Sequence, residues 1–244
     1  MMKNLLQFEF YKLRKMKSFY VCLIVSILLV LLEMISSHIL YQSQGITDIP
    51  VNSFLVSFTS ISMLSMILGI FTALYSCEDY SSNTLKNIYS RGYNRKLVYM
   101  VKYIVVQLVA LFYMFIILIS IALIGMIIFG HMGSLPDHFY SSIFVNIVLL
   151  LAYNTIFYAI SIFTKKSGTA IAANIVGPTF ISLFLSIGDS LLHLEDFSLN
   201  YLWIDYYMEH LSTTTEIYKA LLAGIIYIVM VYIAGKYIQN KQEF

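Results

Sequence analysis

The chain has 244 residues, of which 59% are hydrophobic and 11% charged, with a formal net charge of +2; an ordinary soluble domain carries about 25% charged residues. With so little polar surface it cannot cover itself in water, and its 16% aromatic content and long apolar runs exclude both disorder and a disulfide-stapled secreted scaffold. The composition predicts an all-α membrane protein whose solvent is the bilayer. Cys22 and Cys77 fall near the side assigned below to the cytoplasm, where thiols stay reduced, so no disulfide is expected.

Residues 2–17 are too polar to span but are patterned as an amphipathic helix. Met2, Leu5, Leu6, Leu13 and Met16 share one face, and Lys3, Arg14 and Lys15 lie largely on the other. Such a helix lies in the interface with its basic face toward anionic headgroups. Glu9 falls inside the apolar stripe, where an unpaired carboxylate is costly. Its partner is either Lys12, across i, i+3, or a basic residue of the next cytoplasmic segment.

A span needs about 20 predominantly apolar residues to cross about 30 Å of hydrocarbon. Six windows qualify: 18–40, 53–76, 103–129, 140–163, 170–188 and 217–237. The first is too long for a signal-peptide h-region and ends without a small-x-small cleavage site, so it reads as a retained helix. Continuously apolar runs such as 112–129 do not alternate as barrel strands do, and helices satisfy their backbone groups within the segment. Glu33 in the first window is either a pathway residue or a carboxylate that snorkels to the outer interface. In the fourth, Asn146 and Asn154 either bond across helices or line a translocation path. Asn174 with Gly177-Pro178 predicts a kink in the fifth.

Between the second and third windows, 78–102 is the most informative polar stretch. Residues 78–92 read as a short helix with acids and serines at its start and Arg91-Gly92 at its end. Leu85, Ile88 and Tyr89 make an apolar ridge at i, i+3, i+4. This ridge either docks on a partner or faces lipid. The connection 189–216 carries Trp203, several tyrosines and six acids, and reads either as short interfacial helices or as a solvated loop. No linker or repeat divides the chain, so residues 1–244 form one domain.

Lys and Arg are retained on the cytoplasmic side. Of the 15 such residues, all but Lys219 fall in the terminal segments or in the connections that share their side. Both termini are therefore expected in the cytoplasm, in agreement with an even number of spans.

The whole arrangement resembles the ABC-2 permease family. The resemblance rests on the spacing Glu9, Lys12, Lys15 in the N-terminal helix, on six spans, and on an acidic pair leading into Asn83-Thr84-Leu85-Lys86-Asn87-Ile88 and then Ser90-Arg91-Gly92-Tyr93-Asn94-Arg95. It covers nearly the whole chain and is nearest to small bacterial permeases of lantibiotic immunity and antimicrobial-peptide export. Asn83 stands at the glycine of the family's Glu-x-x-x-Gly-Thr-Leu-Lys stretch, and Asn tolerates the left-handed conformation better than most residues.

The resemblance implies a coupling helix seated in a groove of a separate cytoplasmic ATPase, with Glu78, Asp79, Thr84, Leu85, Lys86, Ile88 and Arg91 as contact candidates. It also implies a second permease half, identical or paralogous, in a bacterial plasma membrane, and export or clearance of an amphipathic peptide or lipid-like substrate. The sequence has no Gly-x-x-x-x-Gly-Lys-Ser/Thr loop, so ATP and Mg are expected on the partner and no cofactor on this chain. A nucleic-acid partner is not expected.

An intramembrane enzyme is the rival class. His38, His131, His138, His193 and His210 are scattered and form no His-Glu-x-x-His pair, and Cys22 and Cys77 have no local base. His193 with Glu195 and Asp196 is a weak metal-like cluster. No catalytic or metal residue is assigned. A third reading is a membrane sensor or assembly subunit that moves no substrate, which would share this composition and topology.

Overall fold

The structure is a computed structural model that describes residues 2–45, 50–52, 54–55, 62–131, 133, 139–192, 198–209 and 214–241. Helices α1 (Met2–Lys15), α2 (Lys17–Ser43), α3 (Ser62–Ser81), α4 (Thr84–Ser90), α5 (Arg95–Phe129), α6 (Phe139–Thr164) and α7 (Ser167–Leu192) are followed by a 3-10 turn (Leu199–Leu202), α8 (Ile204–Glu209) and α9 (Thr214–Lys241). Among the described residues there is no strand. Five helices, α2, α5, α6, α7 and α9, are long and apolar enough to cross a membrane. The expected second span is described as α3 together with helical residues 51–52 and 54–55; residues 53 and 56–61 of that window lie outside the described set.

Helix α6 is the centre of the bundle and packs against α3, α5, α7 and α9. Lipid tails are as apolar as leucine, so helix association inside a bilayer depends on close packing and hydrogen bonds rather than on escape from water. Both are present. A Cβ on Gly224 of α9 would lie 2.9 Å from the Val148 side chain of α6, so that glycine permits the close approach. Thr72 of α3 donates to Asn154 Oδ1 at 2.8 Å, and Asn154 Nδ2 donates to the Val106 carbonyl and to Gln107 Oε1, each at 3.1 Å. Asn174 Nδ2 of α7 donates to the Gly69 carbonyl of α3 at 2.9 Å. Outward, Leu28 and Leu32 of α2, Phe180 and Phe184 of α7, and Met230 and Ile233 of α9 are exposed, as a lipid-facing surface requires.

The segment 78–102 differs from its expected form. Glu78 and Asp79 complete α3, Asn83 breaks the chain with a positive φ of 54°, and α4 is a separate seven-residue helix. The acids therefore do not cap α4. Gly92, at φ 84°, ends the turn after it, its N–H donating to the Tyr89 carbonyl at 2.9 Å. Helix α5, the expected third span, begins at Arg95 rather than Tyr103, because the Asn94 side chain accepts from the Lys96 N–H at 3.0 Å and starts a helix there. A cap, not hydropathy, sets that boundary. Helix α7 runs from Ser167 to Leu192 with Pro178 inside it.

Two poles result. At the terminal pole α1, α4 and the end of α9 meet, with Gln239 Nε2 donating to the Tyr89 hydroxyl at 3.2 Å. At the opposite pole Asn52 Nδ2 donates to the Gly133 carbonyl at 2.7 Å, and Phe54 stacks on Phe129 with centroids 4.7 Å apart.

Candidate functional site

Helix α1 turns the stripe Leu5, Glu9 and Leu13 inward at i, i+4, i+8. Leu5 packs with Leu85 and Ile88 of α4 and with Val98 and Val101 of α5, while Leu13 enters the main core. Glu9 lies between them with no exposed surface. An ionised carboxylate in such a place must be paired.

Its partner is Lys102, eight residues into α5, whose Nζ lies 2.9 Å from Glu9 Oε1. That oxygen receives no aligned hydrogen bond, so the attraction there is ionic; the other, Oε2, accepts from the Tyr75 hydroxyl at 2.6 Å. Lys102 also bonds Asp79 Oδ2. Asp79 Oδ1 accepts from Lys12 Nζ at 2.7 Å, and Lys12 lies 3.3 Å from Glu78 Oε2. The Tyr75 ring sits under both ammonium groups, 4.9 Å from that of Lys12 and 5.4 Å from that of Lys102.

Four elements thus meet in one chain of alternating charge, buried except at Glu78: α1 (Glu9, Lys12), α3 (Tyr75, Glu78, Asp79), α5 (Lys102) and, through the adjoining apolar cluster, α4. Asp79 lies beyond the apolar window that ends at Ser76. Burial pushes its carboxyl up, but Lys102 and Lys12 overcome this and hold it below the ordinary carboxylate range. Every charged member is engaged, so the cluster is built to hold helices rather than to bind a reactant. Among the described residues no three His, Cys, Asp or Glu side chains gather as a metal site would require.

Of the two partners open to Glu9, the structure selects the distant one, because Lys12 is drawn to Asp79 and Glu78. Lys15 does not join, and its ammonium lies 4.6 Å over the Tyr11 ring. In α4 the ridge residues Leu85 and Ile88 are buried at 3% and 7% exposure against α1 and α5. Thr84 is half-buried, sharing a hydrogen bond with Ser82, and Lys86 and Arg91 are exposed. Glu33 is half-exposed on α2 and makes no ion pair among the described residues. Asn154 is committed to the α3–α5–α6 bonds above, whereas Asn146 is buried with its Oδ1 unpartnered.

Sequence reasoning passed over Lys102 and Tyr75. Lys102 counted only as an orienting cation, although its position between Val101 and Tyr103 was a signal of burial. It also passed over the anchor at the opposite pole. There the 3-10 turn and α8 fold back against α6, α7 and α9, with Trp203 buried against Tyr153 and Tyr227. Asp205 accepts from the Tyr153 hydroxyl, from Ser182 Oγ at 2.7 Å and from the Trp203 indole at 3.0 Å. Asp189 accepts from Ser198, from the Asn200 side chain and from the Leu199 N–H. His138, His193, Glu195, Asp196 and His210 lie outside the described residues.

Residues 5–182 match the family model described as ABC-2 family transporter protein. The match takes in all members of the charge cluster and ends within α7. No curated protein matches the chain.

Proposed function

The chain belongs to the ABC-2 transporter family, and from that membership we propose that it is the permease subunit of an ATP-binding cassette exporter, driven by a separate cytoplasmic ATPase. Six spans with both termini inside, and a second permease half completing the pathway, belong to the same reading. The observation that carries it is the seating of α4. A seven-residue helix is too short to hold its shape alone in water, and here it is clamped to α1 and α5 by Leu85 and Ile88, beside a buried charge cluster that fixes those two helices to α3. A force applied to α4 from outside therefore reaches three helices at once.

With the ridge turned inward, the residues left to face an ATPase are Lys86, Asn87, Ser90 and Arg91. Leu85 and Ile88 position them. The substrate class, an amphipathic antimicrobial peptide or lipid-like molecule, comes from the resemblance to lantibiotic-immunity permeases, and Glu33 and Asn146 are the pathway candidates. Affinity isolation of the tagged chain from its own cell membranes tests the reading. The eluate is expected to hydrolyse Mg-ATP in a vanadate-sensitive manner, with stimulation by a cationic amphipathic peptide. An eluate without ATP hydrolysis overturns the permease assignment, and stimulation by lipid but not by peptide overturns the peptide class.

A further inference from the structure

Helices α5 and α9 are pinned together near the terminal pole. A Cβ on Gly235 would lie 2.5 Å from the Tyr99 hydroxyl, so the glycine admits that ring between the helices, and the hydroxyl donates to the Tyr232 carbonyl at 3.2 Å. Beside this contact lies an open groove of about 410 Å³. Met100, Tyr103 and Ile104 of α5 line one side. Ile228, Val229, Tyr232 and Ile233 of α9 line the other. The rings of Tyr103 and Tyr232 meet at its floor with centroids 4.8 Å apart, and the Tyr103 hydroxyl is satisfied inside the bundle, sharing a hydrogen bond of 3.0 Å with Thr155 of α6. The groove therefore shows carbon to the bilayer, with Val229 50% and Ile233 60% exposed along its lip.

Two cations close its terminal end. Lys96 stands one turn before Met100 on the face of α5 that lines the groove, and Lys236 one turn past Tyr232 on the lining face of α9. The Lys236 ammonium lies 5.9 Å over the Tyr232 ring, back toward the groove. Neither lysine has an ion pair among the described residues, where the acids of this pole, Glu9, Glu78 and Asp79, face Lys12 and Lys102. An apolar trough ending at two such ammonium groups matches an anionic phospholipid, with an acyl chain against carbon and phosphate at the cationic end. A second copy of this chain is the poorer occupant, because its own terminal pole would bring the same cations against these. A zwitterionic lipid carries an ammonium of its own beside the phosphate.

We propose that the α5–α9 groove is a site for one anionic phospholipid of the leaflet at the terminal pole, its phosphate held by Lys96 and Lys236 and one acyl chain lying on Met100, Tyr232 and Ile233. The proposal rests on the multi-pass membrane architecture and not on the ATPase assignment. Helix α5 also carries Lys102, so a lipid lodged between α5 and α9 ties the position of the charge cluster to the composition of the leaflet.

The test maps lipid on the unaltered full chain. In phosphatidylcholine nanodiscs it is irradiated with a trace of phosphatidylglycerol bearing a diazirine on one acyl chain and, in parallel, with the matching photoreactive phosphatidylcholine. Phosphatidylglycerol adducts are expected to concentrate on residues 100–104 and 228–233, at least about tenfold over those of phosphatidylcholine, since each lysine near a charged headgroup contributes about fivefold. Lys96→Gln with Lys236→Gln should erase most of that preference. Lys3→Gln with Lys86→Gln, exposed lysines of the same pole outside the groove, should leave it as in wild type. A photoreactive benzoylphenylalanine at Val229 is expected to form its adduct with lipid. Equal labelling of the groove by the two lipids overturns the site, as does a preference that survives loss of both groove lysines, or an adduct from position 229 to a second copy of the chain. All three readouts are independent of ATP hydrolysis, so their failure leaves the permease reading in place.

Discussion

The two poles hold their acids by different chemistry. At the terminal pole Glu9 and Asp79 are neutralised by Lys102 and Lys12. At the opposite pole Asp205 and Asp189 have no ion pair among the described residues and accept from hydroxyl, indole, amide and backbone N–H donors. The difference follows from the distribution of cations. When nearly every Lys and Arg is kept on one side, acids folded into the other side must find neutral donors. The bias that orients the chain thereby decides what bonds its acids can make. Ion pairs and neutral bonds then respond differently to substitution and to salt.

Four substitutions break or sharpen that contrast, taken from the largest effect. Lys102→Met strands Glu9 in a buried site, leaves Asp79 with Lys12 alone, and is expected to cost about 3–5 kcal/mol in detergent unfolding titrations. Adding Glu9→Gln and Asp79→Asn should recover much of the loss, and a triple variant no better than the single one would show that charge balance is not the cause. Asp205→Asn removes charge-assisted bonds and is expected to cost about 1.5–3 kcal/mol. The chain has one tryptophan, Trp203, so its fluorescence reports release of the segment by a red shift; an unchanged spectrum would refute the anchor. Asn154→Leu, within lipid, should cost about 1–2 kcal/mol, with thermal inactivation as the readout. Glu78→Gln loses the half-exposed arm of the Lys12 pair, for at most about 1 kcal/mol, and that loss alone should shrink in high salt.

The apolar windows were legible because long runs without charge have few other folds available. The destinations of single residues were not. The i, i+3 spacing of Leu85 and Ile88 marked an apolar ridge and left open a partner or lipid as its cover; burial within this chain was not among those readings, since a ridge carries no label for what covers it. Glu9 announced by its place in an apolar stripe that it needed a cation, yet Lys102 stands more than ninety residues away and spacing cannot choose among distant lysines. Arg95, Lys96 and Lys102 read as loop charges because hydropathy is blind to the Asn94 cap that starts a helix before them. Asp205 was hidden in a segment that no window describes.

Helix α5 has 35 residues, which at about 1.5 Å each gives a rod of about 50 Å, against about 30 Å of hydrocarbon. Some of it must stand clear of the membrane. Val98, Val101 and Lys102, where α4 and α1 are fastened, lie on its first turns. A rod held near its middle works as a lever arm. Tilting it by about 10° swings each tip by about 4 Å, so a modest nudge at its α4 end would be delivered as a comparable displacement at Phe129, at the opposite pole, without any hinge in between.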